Sequence, residues 1–311
     1  MIGMPKIDVN ILEERKNIFN LLCNLEKKCL LQNNERERAF QLLMKVWDAI
    51  NTSLFDFGYW HDFSDFCHIA MRAAQELNQV AAEAQAMNEI GWLNMEWGNF
   101  DFAQANFIKA LQKYESLNDA HKQCRTLRYL GVLYYRKNER EISLNYYRRA
   151  LDIAIKERTQ TSEQDRNNWT LSEAELRNMF GIYYLDQNDL ATSYQELSYC
   201  LELYRSIEDT YYQYYQTAPL LNLGKWYFVQ QDYQNAKNCY QESLNISREI
   251  DRTDMIAGAL LRLAEVAEAE GNDTEAIELA TDAERTAGTE ITLTREAAAH
   301  FKERILEKNH T

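Results

Sequence analysis

Proline and glycine are in short supply, with 2 and 10 residues among 311. Sheet-rich folds need many turns, and turns draw on those two residue types. So long a chain with so few of them is expected to consist of helices joined by short loops. Long apolar runs are missing as well. No uninterrupted stretch approaches the roughly 18 residues of a membrane span, and Met1 to Asn10 lack an apolar core of signal-peptide length. A cytoplasmic chain that makes no use of a membrane is the expectation. The six cysteines are Cys23, Cys29, Cys67, Cys124, Cys200 and Cys239, and none form a C-x-x-C pair. Most sit at apolar positions of helical patterns, which reads as buried, reduced thiols of a cytosolic protein.

Positive charge is also scarce. With 34 basic against 48 acidic residues the formal charge is −14. That repels a phosphate backbone and argues against nucleic-acid binding. It favours solubility and suits a basic partner. Signatures of catalysis do not occur: there is no G-x-x-x-x-G-K-[ST], no G-x-S-x-G and no H-E-x-x-H. His61, Asp65 and His68 share a helical face at i, i+4 and i+7, a spacing able to hold a metal. An amphipathic helix with ordinary surface polar groups gives the same pattern. His121, His300 and His310 are isolated. No enzymatic role, cofactor or metal is expected.

What is present is a repeat. Apolar residues make up 46% of the chain, enough for a continuous core, and 311 residues exceed what one ordinary globular domain needs. Repeat arrays escape that limit because each unit packs only on its neighbours. The segment Ile90–Leu111 carries Gly91, Gly98, Phe100, Ala103, Phe107 and Ala110. The same frame returns as Leu130-Gly131, Tyr134, Tyr147 and Ala150, and as Phe180-Gly181, Tyr184 and Leu201. It returns again as Leu223-Gly224, Tyr227, Tyr233, Ala236 and Tyr240, and as Leu263, Gly271, Ala276 and Ala283. An earlier copy has Trp47, Gly58, Trp60 and Ala70.

These slots resemble the tetratricopeptide repeat, whose pattern has glycine at position 8, aromatics at 11, 17 and 24, and small residues at 20 and 27. Units then start at Met44, Ala84, Cys124, Ala174, Thr217 and Ala257, spaced 40, 40, 50, 43 and 40 residues. The basic unit is about 34 residues, so these are long members of the class. HEAT-type repeats have periods near 40–47 but do not explain the small-residue slots. Asn51 and Ala264 replace the glycine at position 8, and Ser193 and Cys200 replace two alanines. The resemblance implies an all-α, right-handed solenoid of about six helix pairs, similar to repeats of bacterial peptide receptors and of sensor ends of signalling ATPases. Residues 1–43 are expected to hold a capping helix and the start of the first repeat helix, 44–286 the repeats, and 287–311 a closing helix. Ile18, Leu22, Leu25 and Cys29 mark the first cap; Ile291, Ala298, Phe301 and Ile305 mark the second. Asp101, Asn188–Asp189, Gln231–Asp232 and Gly271–Asn272–Asp273 supply turn and cap chemistry.

Two stretches interrupt the period. Glu157–Glu173 is polar, with Thr159, Gln160, Thr161, Ser162 and Asn167–Asn168, and reads as an insertion loop or as a prolonged second helix followed by a loop. Tyr211, Tyr212, Tyr214 and Tyr215 precede Pro219 and read either as a recognition surface or as packing under a prolonged helix.

In the tetratricopeptide family, peptides generally lie against positions 2, 5, 9, 12 and 13 of each first helix. Transferred residue by residue, that gives Gln85, Asn88, Trp92 and Met95, then Arg125, Arg128, Tyr135 and Arg136. It continues with Asn178, Ile182 and Leu185, then Leu221, Lys225 and Phe228 beside Asn222. Leu261, Glu265 and Glu268 beside Arg262 complete the set. Arginine forks bind carboxylates and are enriched at interfaces. An amide at the shared slot of Asn88 and Asn178 can bond a peptide backbone. A protein or peptide partner with an acidic or C-terminal carboxylate group near the third unit is the expectation. Pairing of these arginines with acids on neighbouring helices is the alternative. The lysine and asparagine set of the two-carboxylate clamp is not found. A free-standing adaptor or scaffold heads the functional readings, ahead of a ligand-sensing subunit of a signalling switch and a regulatory or inhibitory partner of a protease or nuclease.

Overall fold

A computed structural model describes residues 14–31, 34–56, 60–207, 210–288 and 292–310. They form fourteen α-helices and one 3-10 segment, with no strand among the described residues. The helices fall into two compact units, one ending at Glu157 and one beginning at Arg158. The first holds α1 (Arg15–Cys29), α2 (Arg36–Asp56), α3 (Trp60–Glu76), α4 (Val80–Glu96), α5 (Phe100–Ser116), α6 (Ala120–Arg136) and most of α7 (Arg140–Gln160). The second holds α8 (Glu163–Asp186), α9 (Leu190–Arg205), the 3-10 segment Thr210–Gln216, and α10 (Thr217–Val229). It continues through α11 (Tyr233–Glu249), α12 (Thr253–Ala269), α13 (Asp273–Ala287) and α14 (Thr292–His310). Each unit is an all-α tetratricopeptide-type solenoid of antiparallel helix pairs. The first helices of the pairs, called A below, are α2, α4, α6, α8, α10 and α12.

One turn joins most of these helices. At eight junctions the linker is three residues long and its middle residue has positive φ: Asn78, Gly98, Asn118, Asn138, Asn188, Gln231, Asp251 and Gly271. The residue after it donates its N–H to the carbonyl five residues back, as in Asn99 to Asn94 at 2.7 Å and Glu139 to Tyr134 at 2.8 Å. This closes the orphan carbonyls of the preceding helix. Asp119, Asp189, Asp232 and Asn272 then cap the next helix by accepting from a backbone N–H. The chain turns sharply with few glycines because asparagine tolerates the left-handed region.

The small-residue slots have a direct packing cause. A Cβ built on Gly91 would lie 2.7 Å from the Phe107 ring, on Gly131 2.3 Å from Tyr147, on Gly224 2.3 Å from Tyr240, and on Gly181 2.4 Å from Leu197. Each partner lies sixteen positions on (107 − 91, 147 − 131, 240 − 224, 197 − 181). The bare backbone of helix A thus accepts the side chain at position 24 of its own helix B. Ser143 and Ser193, at the small slot of position 20, each donate their hydroxyl to the carbonyl of that glycine, Gly131 and Gly181, at 2.8 Å. The departure at Ser193 is therefore a specific hydrogen bond.

The caps and cysteines follow the same logic. Leu22, Leu25 and Cys29 of α1 are buried, as are Ala298, Phe301 and Ile305 of α14. Cys29, Cys67, Cys124 and Cys200 are buried, Cys23 and Cys239 half-buried, and all six are free thiols. Burial pushes the Cys67 and Cys200 thiols upward.

Of the two interruptions, the polar stretch 157–173 contains no long loop. The second helix is prolonged through Gln160, and α8 starts again at Glu163. In α8, Glu173 is 1% exposed and pairs with Arg158 at 2.7 Å and Arg177 at 3.4 Å, and Arg177 also binds Glu196 at 3.0 Å. A buried carboxylate needs such partners. The tyrosine run lies in the 3-10 segment, where Tyr215 stacks on Tyr204 at 5.6 Å and contacts Tyr214 at 4.0 Å, so part of it is packing. Gly58 and Ile291 lie outside the described residues.

Candidate functional site

The A-helix faces are polar and aromatic in both units, but their side chains are engaged differently. In the first unit nearly every residue of the family's ligand face has a protein partner. Asn88 is only 2% exposed, and its amide donates to the Thr126 hydroxyl on the next A helix at 2.8 Å. Met95 is 1% exposed. Neither offers a face to a ligand: Asn88 is taken up by Thr126, and Met95 is enclosed. Gln85 reaches Asp48 at 3.5 Å, and Trp92 packs on Tyr129 with ring centroids 4.8 Å apart.

Two of the three arginines of α6, Arg125 and Arg136, follow the alternative reading. Arg125 donates to Glu89 at 2.7 Å and to the Tyr129 hydroxyl at 2.6 Å. Against the desolvation of burial, Tyr129 and Glu89 hold its guanidinium above the usual range. Arg136 forks onto both oxygens of Glu96 at 3.0 and 2.8 Å. Arg128 lies over the Tyr129 ring at 5.4 Å, and Arg140 covers Tyr135 at 3.9 Å. Each of these forks belongs to a ladder that ties one A helix to the next.

The second unit repeats the ladder with larger gaps. Asn178, 6% exposed, accepts from the Asn222 amide at 2.8 Å. Ile182, Leu221 and Leu261 are half-buried, and Leu185 is buried. Arg262 binds both oxygens of Glu265 at 2.8 Å, and Arg304 of α14 binds Glu268 at 2.7 Å. Lys225 stands 3.9 Å from Asp186. Between α10, α12 and α14 the surface opens into a pocket of about 530 Å³. It is lined by Lys225, Phe228, Val229, Tyr240, Arg262, Glu265, Glu268, Ala269 and Lys308.

Five of these residues were expected on the ligand face: Lys225, Phe228, Arg262, Glu265 and Glu268. Lys308 was missed because its helix reads as a cap. The available signal is that α14 follows α13 as another A helix would, with Arg304 bonded to Glu268 thirty-six positions earlier. Tyr240 was read as a packing aromatic, which it is, with one side also facing this space. His61 stacks on Trp97 at 5.7 Å, and no group of three metal-ligating side chains forms among the described residues.

A family model, tetratricopeptide repeat, matches residues 83–156 and 215–287, one stretch in each unit. Those two stretches match tetratricopeptide repeats, and the turns, glycine notches and helix pairs of both units are of that kind. No curated protein matches it in sequence. Three solved structures place the fold more closely. A signal transduction ATPase with numerous domains and a tetratricopeptide repeat sensor, from Pyrococcus horikoshii, is 20% identical with a TM-score of 0.59. That match covers 93% of this chain and 43% of the ATPase, so this chain spans less than half of it. The apo quorum sensor NprR from B. thuringiensis is 15% identical with a TM-score of 0.54, over 96% of this chain and 83% of that one. A Rap protein complexed with Competence and Sporulation Factor is 19% identical with a TM-score of 0.53, over 88% and 76%. These likenesses are of fold.

Proposed function

We propose that this chain is a protein- or peptide-binding module without catalysis of its own, and that the second unit holds its ligand on the A-helix face. The carrying observation is the open pocket between α10, α12 and α14. Its volume falls within the roughly 300–1,000 Å³ of ordinary ligand sites, and it mixes an exposed apolar surface with several charges. The equivalent face of the first unit is occupied by its own ion pairs. A carboxylate near the third unit would have to displace Glu89 or Glu96, so the ligand contacts are better sought at Lys225, Phe228 and Arg262. Two fold neighbours support the reading: one is a Rap protein bound to Competence and Sporulation Factor, the other an ATPase whose repeats are its sensor. No helix among the described residues is long and apolar enough to cross a membrane.

The test is affinity capture on the intact chain with Phe228→Ala and Arg136→Ala in parallel. Phe228→Ala is expected to lose captured partners at least tenfold while the fold is retained by circular dichroism. Arg136→Ala should keep them. Identical partner sets for wild type and Phe228→Ala would sink the proposal.

A further inference from the structure

We infer that the outer face of α5 and α7, in the first unit, docks a second copy of this chain. The two copies meet across a twofold axis with their α5 helices antiparallel. This surface lies apart from the A-helix faces and does not depend on the peptide-binding reading.

Phe102 and Ile142 carry the first observation. Phe102 is 71% exposed and Ile142 43% exposed. Each is the third residue of its helix and holds position 19 of its repeat. The other units place Asp62, Thr192, Asn235 and Glu275 there. A first helical turn favours acids and hydrogen-bonding side chains. A large apolar group at this slot therefore gains nothing in a lone chain. Single exposed apolar residues are ordinary. These two belong to one surface, because α5 and α7 stand side by side. Arg149 of α7 lies 3.7 Å from Glu115 of α5, and Lys137, in the turn before α7, bonds Gln104 at 3.3 Å.

The charges on this face select the partner. On α5 the exposed charged residues are Asp101, Lys109 and Glu115; on α7 they are Glu141, Arg148, Arg149, Asp152 and Lys156. Acids and bases are equal in number here, in a chain of net charge −14. A second acidic copy is therefore not repelled at this face, and a partner of one charge sign finds no complement. The order along each helix matters as well. The acid comes first (Asp101, Glu141), then the apolar residue, then a small or neutral one (Ala105, Asn145), and the cation last (Lys109, Arg149). Ala105 lies midway between Asp101 and Lys109. An antiparallel twofold crossing at Ala105 brings the acidic end of one α5 against the basic end of the other. The small, exposed Ala105 lets the helices come close, and Phe102 is covered between them. In the second unit the slot of Lys109 and Arg149 holds Tyr199, Glu242 and Asp282, so the arrangement does not recur. The face of two helices stays below the roughly 1,200 Å² of a stable interface, and a dissociation constant on the order of 10–100 µM follows.

Sedimentation equilibrium of the full chain, from about 5 to about 300 µM, is the test. Wild type should pass from monomer to dimer across that range. Phe102→Ser should weaken association by about tenfold or more, and Ile142→Ser by about threefold. Both side chains are exposed, so melting temperatures should stay within about 2 °C of wild type. Val229→Ser, at an exposed apolar residue of the second unit, should leave association unchanged. The crossing is tested by charge. Asp101→Lys and Lys109→Asp should each weaken association by about fivefold, since like charges then meet twice across the axis. An equimolar mixture of these two variants should recover it, because each lysine again faces an aspartate. A wild-type chain that stays monomeric throughout would overturn the inference, as would a dimer that keeps its strength in Phe102→Ser. A monomer that binds phosphatidylcholine vesicles through Phe102 would also overturn it and give the face to a membrane. A mixture that fails to recover would overturn the antiparallel crossing.

Discussion

Phe107 and Phe228 show how differently the two units use similar material. Phe107 sits in the first unit, fully buried, with its ring in the notch left by Gly91. Phe228 sits in the second unit, half-buried at the mouth of an open pocket. The polar side chains divide the same way. Arg125 and Arg136 of the first unit are closed on glutamates of the preceding A helix, whereas Lys225 of the second stands 3.9 Å from its acid. One repeat frame can therefore produce a face that holds the array together and a face with room for something else. Residue type alone does not tell the two apart; engagement does.

The largest effect should come from the phenylalanines. Phe107→Ala removes a fully buried ring and leaves a cavity between α4 and α5. It should destabilise the chain by about 3–5 kcal/mol in urea or guanidinium unfolding. Phe228→Ala should cost about 1 kcal/mol, the ordinary cost of a partly exposed site, while its effect on binding is large. Equal stability losses would erase the distinction between packing and site.

The glycines sharpen it at the next scale. Gly131→Ala sets a methyl group 2.3 Å from the Tyr147 ring, where something must shift. Overpacking of that kind costs about 1–3 kcal/mol. Gly258 in α12 has nothing within 4 Å of an added Cβ. Gly258→Ala should be neutral or stabilising by up to about 1 kcal/mol, since alanine is the better helix former. Thermal melts of the two variants, moving in opposite directions, are the measurement.

These two glycines also show what could be read from the sequence. Gly131 stands in the repeat slot with Tyr147 sixteen positions on, so its packing role follows from spacing alone. Gly258 falls in none of the small-residue or aromatic slots, and nothing lies within 4 Å of a Cβ added there. The fold was legible because helix pairing is written locally, in small residues and aromatics at fixed offsets. The candidate site was legible only in part. The sequence placed Arg125, Arg128 and Arg136 on one face, but could not say that Glu89 and Glu96, some forty positions earlier, would hold two of them. That depends on how closely successive A helices stack. Lys308 escaped notice for a related reason: a closing helix looks like a lid until its arginine is found bonded to the preceding A helix. The polar stretch at 157–173 was legible in part: its second helix is prolonged, in line with one of the two readings, but the loop that polarity suggested is instead the start of α8, where Glu173 is buried with two arginines.

Ion pairs come next in size. Arg125→Ala strips the Tyr129 hydroxyl and the Glu89 carboxylate of a charged donor in a partly buried setting. Hydrogen bonds to charged groups are worth about 1.5–3 kcal/mol, and with partial exposure a loss of about 1–2 kcal/mol is expected. Arg262→Ala in the second unit removes an exposed pair with Glu265 and should cost about 0.5 kcal/mol or less. Chemical denaturation of both variants at low and at 1 M salt is the check. Salt should shrink the Arg262 effect and leave most of the Arg125 effect, because buried pairs are screened less.

The smallest predicted effect tests the turn that both units share. Gln231 holds φ at +60° in the linker between α10 and α11, where Gly98 and Gly271 serve other linkers. A side chain in the left-handed region costs roughly 1–2 kcal/mol, part of which glycine returns as unfolded-state entropy. Gln231→Gly should therefore stabilise the chain by about 0.5–1 kcal/mol. Asn138→Gly, at φ +61° in the first unit, should gain less, because asparagine tolerates this conformation. The pair isolates backbone geometry from everything else, since the neighbouring hydrogen bonds, Glu139 to Tyr134 and Asp232 to Tyr227, are of the same kind. A larger gain at Asn138 than at Gln231, read from midpoints of urea unfolding, would mean that the two linkers differ in strain despite their matching dihedrals. The units would then be less alike in their turns than in their packing.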